Sequence, residues 1–235
     1  MSERLQVREP VLAGRSLRKV YHEEDGSELT ILDGVEIDVL PGEFVAVTGA
    51  SGAGKSTLLH LLGCLDRPTS GDVLLAGRSV AELSADELAG ERNRRIGFVF
   101  QFHHLLREFT AEENVMMPLL VGGVRPRDAA VRARELLGQV GLAARVHHKP
   151  SELSGGEQQR VAVARALANS PVVVLADEPS GNLDTHTAAQ LHDLFLGLRS
   201  DHGVAMVVAT HNRELAERAD RVLSVKDGQL SSTPV

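Results

Sequence analysis

Gly49-Ala50-Ser51-Gly52-Ala53-Gly54-Lys55-Ser56-Thr57 decides how the rest of this chain is read. The stretch fits the spacing GxxxxGK[ST], and its surroundings fit as well. Residues 44–48 (FVAVT) form a short apolar run with strand character, and residues 56–62 carry a helical pattern. Strand, glycine-rich turn and helix in that order make an anion cradle. Glycines let the backbone turn tightly, so that successive N–H groups and the helix N-terminus point at phosphate oxygens, where the helix dipole favours negative charge. The Lys55 ammonium is then suited to bridge β- and γ-phosphates, and the Ser56 hydroxyl to a magnesium ion touching the same phosphates. A chance match to this pattern in 235 residues is on the order of one in a hundred, which leaves a plain glycine-rich turn a poor account of it.

The same grammar recurs downstream. Residues 172–176 (VVVLA) and 204–209 (VAMVVA) are apolar runs without alternation, as expected of strands buried on both faces of a largely parallel sheet. Between them Leu191, Leu194, Phe195 and Leu198 recur at helical spacing behind Asp184, a candidate N-cap. Residues 1–40 and 71–80 (GDVLLAGRSV) mix turn residues with short strands, and Asp227-Gly228, between residues 222–225 and Leu230, is a hairpin signal. Antiparallel strands beside the core are expected from all three regions. From about residue 101 to about residue 165 the pattern turns helical, with Ala129, Ala133, Leu136, Leu137 and Val140 in one apolar stripe. The expected fold class is α/β: one domain over residues 1–235, with a mostly parallel core sheet flanked by helices, an antiparallel β subdomain and an inserted helical subdomain at about 101–165.

Asp177 and Glu178 follow the run 172–176 directly, at a strand end where α/β sheets gather their ligands. Unpaired buried charge is expensive there. Beside a phosphate loop the two make sense as a carboxylate holding magnesium, Asp177, and a general base for an attacking water, Glu178. Taken alone, an acidic pair at a strand end is as readily a helix cap. Leu153-Ser154-Gly155-Gly156-Glu157-Gln158-Gln159-Arg160 precedes the helical residues 161–168, and Ser154 with Glu157 fits the Ser-x-x-Glu capping box. Two glycines beside a serine at a helix start also expose N–H donors to an anion. One chain with its own phosphate loop and a second anion-ready turn suggests a site shared between chains.

Composition narrows the class further. Apolar residues make up 43% and charged residues 24%, as in soluble globular domains, and there is no repeat or low-complexity tract to favour disorder. A net charge of −7 argues against a nucleic-acid binder, which needs a basic face to neutralise phosphates. Cys64, the single cysteine, cannot form an internal disulfide and reads as a small buried apolar residue in a reducing compartment. No apolar run approaches the roughly 20 residues a bilayer crossing needs, and the opening MSERLQVREP has no apolar signal core. The chain is expected to be neither secreted nor membrane-spanning.

The phosphate loop, Gln101, LSGGEQQR at 153–160, ADEP at 176–179, SGNLD at 180–184 and His211, in this order and spacing, closely resemble the ATPase domain of ABC transporters over almost the whole chain. The resemblance implies a P-loop NTPase of the ABC-ATPase type that binds ATP and Mg2+ and hydrolyses ATP in a head-to-tail dimer with a second ATPase subunit. Residues 49–57 of one subunit would bind ATP, and Ser154, Gly155 and Gly156 of the other would reach its γ-phosphate. Gln101 would link the helical lobe to magnesium and the γ-phosphate, Asp184 would reach across the dimer, His211 would support the γ-phosphate and attacking water, and Tyr21 would stack on adenine. By residue type alone, Tyr21 equally suits the cover of an apolar edge, His211 a surface position and Asp184 an N-cap. The chain departs from the commoner family pattern at Ser180, where threonine is usual, at Asn212, where aspartate often follows the histidine, and at Ala50 and Ala53 in the loop. None of these removes a group assigned to catalysis.

Within that family, Gln101-Phe102-His103-His104-Leu105-Leu106, with residues 109–115 (FTAEENV) and 117–120 (MPLL), looks like the ATPase subunit of bacterial lipoprotein-releasing systems. LLHLLGCLDRPTSGDV and DEPSGNLD resemble the wider subfamily that also serves macrolide efflux and cell-division complexes. The resemblance implies integral membrane permease subunits as partners, a peripheral place on the cytoplasmic face of the bacterial inner membrane, and lipoprotein as an indirect cargo. Exposing three long acyl chains to water would cost on the order of 35 kcal/mol, so such a cargo must pass between apolar cavities, and no residue of this chain is expected to touch it. Phe102, Leu105 and Leu106 serve either a cleft that receives a short permease helix or the core of the helical lobe. Neither a repair-type ABC ATPase with a coiled-coil insertion nor a translation factor with two fused ATPase domains fits, because residues 57–153 hold one short lobe without sustained heptads. Glu178 and His211 together argue against a non-hydrolysing scaffold.

Overall fold

The strand, turn and helix expected around the glycine-rich stretch form as β3 (Phe44–Thr48) and α1 (Lys55–Leu62) in a computed structural model that describes residues 9–22 and 26–233. The opening stretch MSERLQVR, whose lack of an apolar run figures above, lies outside the described residues. Strand β3 sits inside the core sheet. On one side it pairs in parallel with β8 (Ala205–Ala209), which carries β7 (Val173–Asp177) and then β6 (Ile96–Val99), again in parallel. On the other side it pairs in parallel with β9 (Arg221–Lys226), and β10 (Gln229–Thr233) closes the edge antiparallel to β9. The runs FVAV, VVLA and AMVVA are buried throughout, the burial on both faces that their lack of alternation predicts.

The C-terminal hairpin corrects one expectation. Asp227 and Gly228 do form its two-residue turn, with φ of 49° and 76°, the left-handed pair that a type I′ hairpin requires. The hairpin is not part of the separate antiparallel layer, however, because β9 is bonded to β3 from Val45↔Arg221 to Thr48↔Ser224. The antiparallel layer is a second sheet of β1 (Leu12–His22), β2 (Glu28–Val39), β4 (Ser70–Leu75) and β5 (Arg78–Ser79), in the order β2-β1-β4-β5. Its inner residues Leu12, Leu17, Leu32, Ile37 and Val39 share one core with Val45 and Val47 of β3 and with Leu58, Leu61 and Leu62 of α1. Helix α1 is thus gripped between two sheets, which fixes the direction in which its N-terminus points.

Helix α2 (Ala85–Arg95) is not foreshadowed by apolar spacing, since Leu88 is its one buried residue; its start is marked instead by the reciprocal Ser84–Glu87 capping box. Beyond β6 the chain stays irregular until Ala111, ten residues after Gln101, then forms α3 (Ala111–Val121), α4 (Pro126–Gln139) and α5 (Gly155–Ala166). Ala129, Ala133, Leu136, Leu137 and Val140 are all buried, packed with Val115 and Val161 and continuous with Leu191 and Phe195 of α6 (Thr185–His202). Helix α7 (Arg213–Glu217) follows β8. The end of α5 lies so close to β6 that a Cβ on Gly97 would stand 2.3 Å from the Ala166 carbonyl oxygen.

Asn114, fully buried on α3, holds the irregular stretch in place. Its Nδ2 donates to the carbonyls of Leu106, Phe109 and Thr110, and its Oδ1 accepts from the Leu106 N–H. Asn114→Ala removes four side-chain hydrogen bonds to the backbone, while the Leu106 and Thr110 carbonyls keep their bonds from the Phe109 and Asn114 N–H groups, and is expected to lower the unfolding free energy by roughly 2–4 kcal/mol in urea titrations; a loss below about 0.5 kcal/mol contradicts this. Burial pushes the Cys64 thiol up to about 11, against a partial pull from Arg92. Between the ordinary value of 9.0 and about 11 the native state keeps a proton that the unfolded chain has released, so the thiol lowers stability as pH rises through that window. Iodoacetamide at about pH 8 is expected to spare native Cys64 and to label it once guanidinium unfolds the protein; equal rates in the two states contradict this.

Candidate active site

At the end of β3 the Thr48 hydroxyl donates to the Leu223 carbonyl (3.2 Å), and the chain enters the loop through three left-handed glycines, Gly49 (φ 144°), Gly52 (φ 77°) and Gly54 (φ 104°). Gly49 is also needed for space, since an added Cβ would lie 2.5 Å from the Val225 carbonyl oxygen on β9. Gly54 is the N-cap of α1 and offers no side-chain cap, so the first N–H groups of the helix remain for a ligand. The Lys55 side chain folds back over this loop, almost buried, and its Nζ donates to the carbonyls of Gly49 (2.9 Å) and Ala50 (3.0 Å). Ala50, Ser51 and Ser56 face outward, while Ala53 and Thr57 are half-buried.

Sheet register brings the acidic pair to the same edge. Asp177 on β7 pairs with Ala209 on β8, and Ala209 with Val47 on β3, so the carboxylates face the loop across the intervening strand β8. Asp177 Oδ1 is buried without a hydrogen-bond partner. A hard anionic oxygen left unpaired in that position fits a divalent cation, which takes oxygen ligands. Glu178 adopts φ 44°, a conformation that costs a non-glycine residue about 1 kcal/mol or more and that persists because its surroundings hold it. Its N–H donates to the Ala209 carbonyl (2.9 Å), and its Oε2 accepts from the His211 N–H (3.3 Å) and lies 2.8 Å from His211 Nδ1. The carboxylate is mostly covered, whereas the imidazole is largely open to solvent.

Gln101 reaches the loop that follows this pair. Its Nε2 donates to Asn182 Oδ1, and Asn182 Nδ2 donates back to the Gln101 carbonyl, both at 3.1 Å. Asn182 was not singled out from sequence, although it lies inside SGNLD. Asp184 is the N-cap of α6, accepting from the Thr187 N–H (3.0 Å) and hydroxyl (2.6 Å), and these bonds hold its carboxyl below the usual range. Ser154 caps α5 in the expected reciprocal box with Glu157, whose carboxyl is lowered first by the Ser154 N–H and then by Arg145. Ser154 and Gly155 are exposed, and Gly156 lies against Thr187, where a Cβ would come within 2.5 Å of its methyl. The Ser154–Gly156 turn therefore rests on the start of α6, beside Asp184, whereas the loop glycines Gly49 and Gly54 lie against Val225 and Ile31.

Tyr21 stands half-exposed on β1. Its hydroxyl donates to Asp66 (3.2 Å), and Lys19 Nζ lies 4.9 Å from the ring centroid while pairing with the same carboxylate at 2.7 Å. Desolvation raises the Asp66 carboxyl, but the bonds from Lys19 and the Arg67 N–H outweigh it and hold the group below the usual range. Of the three residues that sequence leaves between cleft and core, Phe102 is 66% exposed, Leu106 is exposed, and Leu105 packs against the helical core. A cleft of 530 Å³ opens between Phe102, His103, His104, Pro150 and Gln158, and burial, with His104 and Arg165 nearby, pushes the His103 imidazole down. A second cleft, of 390 Å³, is walled by Leu65, Phe98, Phe100, Pro118, Val121 and Arg165.

A glycine loop at a helix start with an acidic pair across the intervening strand is the site of a phosphate-loop nucleotide-binding protein. The family described as ABC transporter matches residues 32–181. The lipoprotein-releasing system ATP-binding protein LolD of Geobacter metallireducens is 56% identical over 87% of this chain and 91% of its own length, and that of Alcanivorax borkumensis 54% identical over 94% and 96%. The dimeric post-hydrolysis structure of the ATP-binding cassette MJ0796, bound to ADP and Pi, superposes with a TM-score of 0.86 at 37% identity, covering 95% of this chain and 99% of that one. The chain belongs to the ABC transporter family, as one of its ATP-hydrolysing subunits.

The loop geometry yields an ordering that can be checked. Gly49→Ala sets a methyl against the Val225 carbonyl, whereas a Cβ on Gly52 meets nothing within 4 Å. Gly49→Ala is expected to weaken binding of a fluorescent ATP analogue at least about tenfold, and Gly52→Ala by a smaller factor; the reverse order contradicts the geometry.

Proposed function

We propose that this chain binds and hydrolyses ATP to drive the release of lipoproteins from the bacterial inner membrane, docked as a pair on the cytoplasmic face of its permease. The observation that carries the hydrolytic part is the Glu178–His211 contact on the sheet edge that also bears the phosphate loop. Residues 49–57 wrap the phosphates of ATP. Lys55, whose ammonium now rests on two loop carbonyls, turns its donors to the β- and γ-phosphates, and the free N–H groups at the start of α1 complete the cradle. Tyr21 offers its ring face to the adenine. Magnesium, when bound, neutralises charge on the phosphates; the Ser56 hydroxyl, the unpaired Asp177 oxygen and the Gln101 amide oxygen are the donors that would hold it.

Hydrolysis is an in-line displacement at the γ-phosphorus. Water forms the new O–P bond, the bond to the bridging oxygen breaks, ADP leaves, and Glu178 takes the water proton. His211 holds the Glu178 carboxylate through Nδ1 and its own N–H, which orients the base and leaves the rest of the exposed imidazole for the γ-phosphate. In one chain Gly156 lies against Thr187, beside Asp184, while the loop glycines Gly49 and Gly54 lie against Val225 and Ile31, which supports a second copy as the source of the contacts from the Ser154–Gly156 turn. Head-to-tail pairing puts that surface over the partner's phosphate loop and makes both sites composite.

The release of lipoproteins rests on the LolD relatives, which cover nearly the whole chain. No helix among the described residues is long and apolar enough to cross a membrane, so the permease supplies the membrane path. The two apolar clefts flanking Phe98 to Leu105 suit a short permease helix.

Tagged wild-type protein and a Glu178→Gln variant, purified from their native membrane, test both halves. The variant is expected to bind ATP with affinity within about twofold of wild type and to turn over at least about a hundredfold more slowly, and mass spectrometry is expected to find lipoprotein-releasing permease subunits with both proteins. Unimpaired turnover contradicts the role of Glu178. An efflux or cell-division permease in their place contradicts the cargo, and no membrane partner at all contradicts the transporter.

A further inference from the structure

Helix α6 packs its apolar stripe, Ala188, Leu191, Phe195 and Leu198, into the core, and His192 occupies one position of that stripe at 1% exposure. Its Nε2 lies 2.9 Å from the hydroxyl of Ser180, itself buried, while its Nδ1 is buried without a partner. An apolar side chain would fit this slot without leaving a ring nitrogen unsatisfied. Burial pushes the imidazole's pKa down; Glu214 and Asp193 pull the other way, and Arg218 sides with burial.

The hydroxyl it holds lies two residues beyond Glu178, in the turn that ends at Asp184. That turn is otherwise closed by short backbone bonds, Gly181 N–H to the Glu178 carbonyl (3.0 Å) and Leu183 N–H to the Ser180 carbonyl (3.1 Å). Glu178 itself sits at a left-handed φ, which endures only where neighbouring contacts over-determine it. Gln101 grips the turn at Asn182 from the solvent side, and His192 grips it at Ser180 from beneath. We infer that His192 is a positioning residue for ATP hydrolysis: through its hydrogen bond to the Ser180 hydroxyl it sets the turn from Glu178 to Asp184, and with it the aim of the base and of the aspartate that reaches the second copy. This rests on the reading of Glu178 as the general base.

The role belongs to the hydroxyl at 180, which serine and threonine both supply. The test compares Ser180→Ala, Ser180→Thr, His192→Met and the double variant Ser180→Ala/His192→Met in the purified permease complex, reading kcat, KM for ATP and melting temperature, with Glu178→Gln in the same series. Ser180→Ala and His192→Met are each expected to lower kcat by about ten- to hundredfold with KM within about twofold. The double variant is expected to fall no further than either single one, and Ser180→Thr to keep kcat within about twofold of wild type. Wild-type kcat in Ser180→Ala overturns the inference, as does a parallel fall in kcat, ATP affinity and melting temperature, which marks a merely structural bond. Retained turnover in Glu178→Gln would instead overturn the reading of the site on which the inference stands.

Discussion

Holding a triphosphate at neutral pH means stripping water from several negative charges, and the chain meets that demand with backbone N–H groups instead of a cluster of cations. This choice constrains everything around it. The loop must pass through left-handed glycines at 49, 52 and 54, and Gly49 must sit under the Val225 carbonyl, which ties the loop to β9 as firmly as to β3. The first turn of α1 must be left uncapped, and the helix must be aimed by packing alone, through Leu58, Leu61 and Leu62 against both sheets. A cradle of this kind binds but does not by itself hydrolyse. The groups proposed for hydrolysis, Asp177, Glu178 and His211, share one edge because of the parallel order of β3, β8 and β7.

Around that edge the remaining contacts form a belt of restraints on the loops. Gln101 and Asn182 exchange bonds, Gly156 rests on Thr187, and Asn114 ties the stretch after Gln101 to α3. Arg165, on the same helix as the signature turn, donates to the carbonyls of both His103 and His104, and Gln159 donates to that of Phe100. Helix α5 thereby connects the stretch next to the clefts with the turn that would face a second nucleotide.

Much of this is legible in the sequence because it is local. The phosphate loop announces itself by spacing, and β3, β7, β8 and α6 by continuous β-branched runs or helical recurrence, each within a window of a few turns. Helix α2 escaped that reading because a single buried leucine makes no stripe, yet Ser84 and Glu87 carried its signal as a capping box. The hairpin at Asp227-Gly228 was legible as a hairpin but not as an edge of the core, because a turn fixes only the pairing of its own two strands. Pairings across long separations, Gln101 with Asn182, Tyr21 with Asp66 and Ser180 with His192, leave no local trace, and neither does the left-handed φ of Glu178. Those contacts exist only once the sheet order has brought distant loops together.

In the proposed pair, each ATP lies between the phosphate loop of one copy and the Ser154–Gly156 turn of the other. Sedimentation velocity of the Glu178→Gln protein, with ATP and without it, tests this most directly. A species of 25.2 kDa is expected without nucleotide, doubling in mass with ATP, and adding Ser154→Arg to the same protein is expected to keep it single. A protein that stays single at saturating ATP, or a dimer that survives Ser154→Arg, would contradict it.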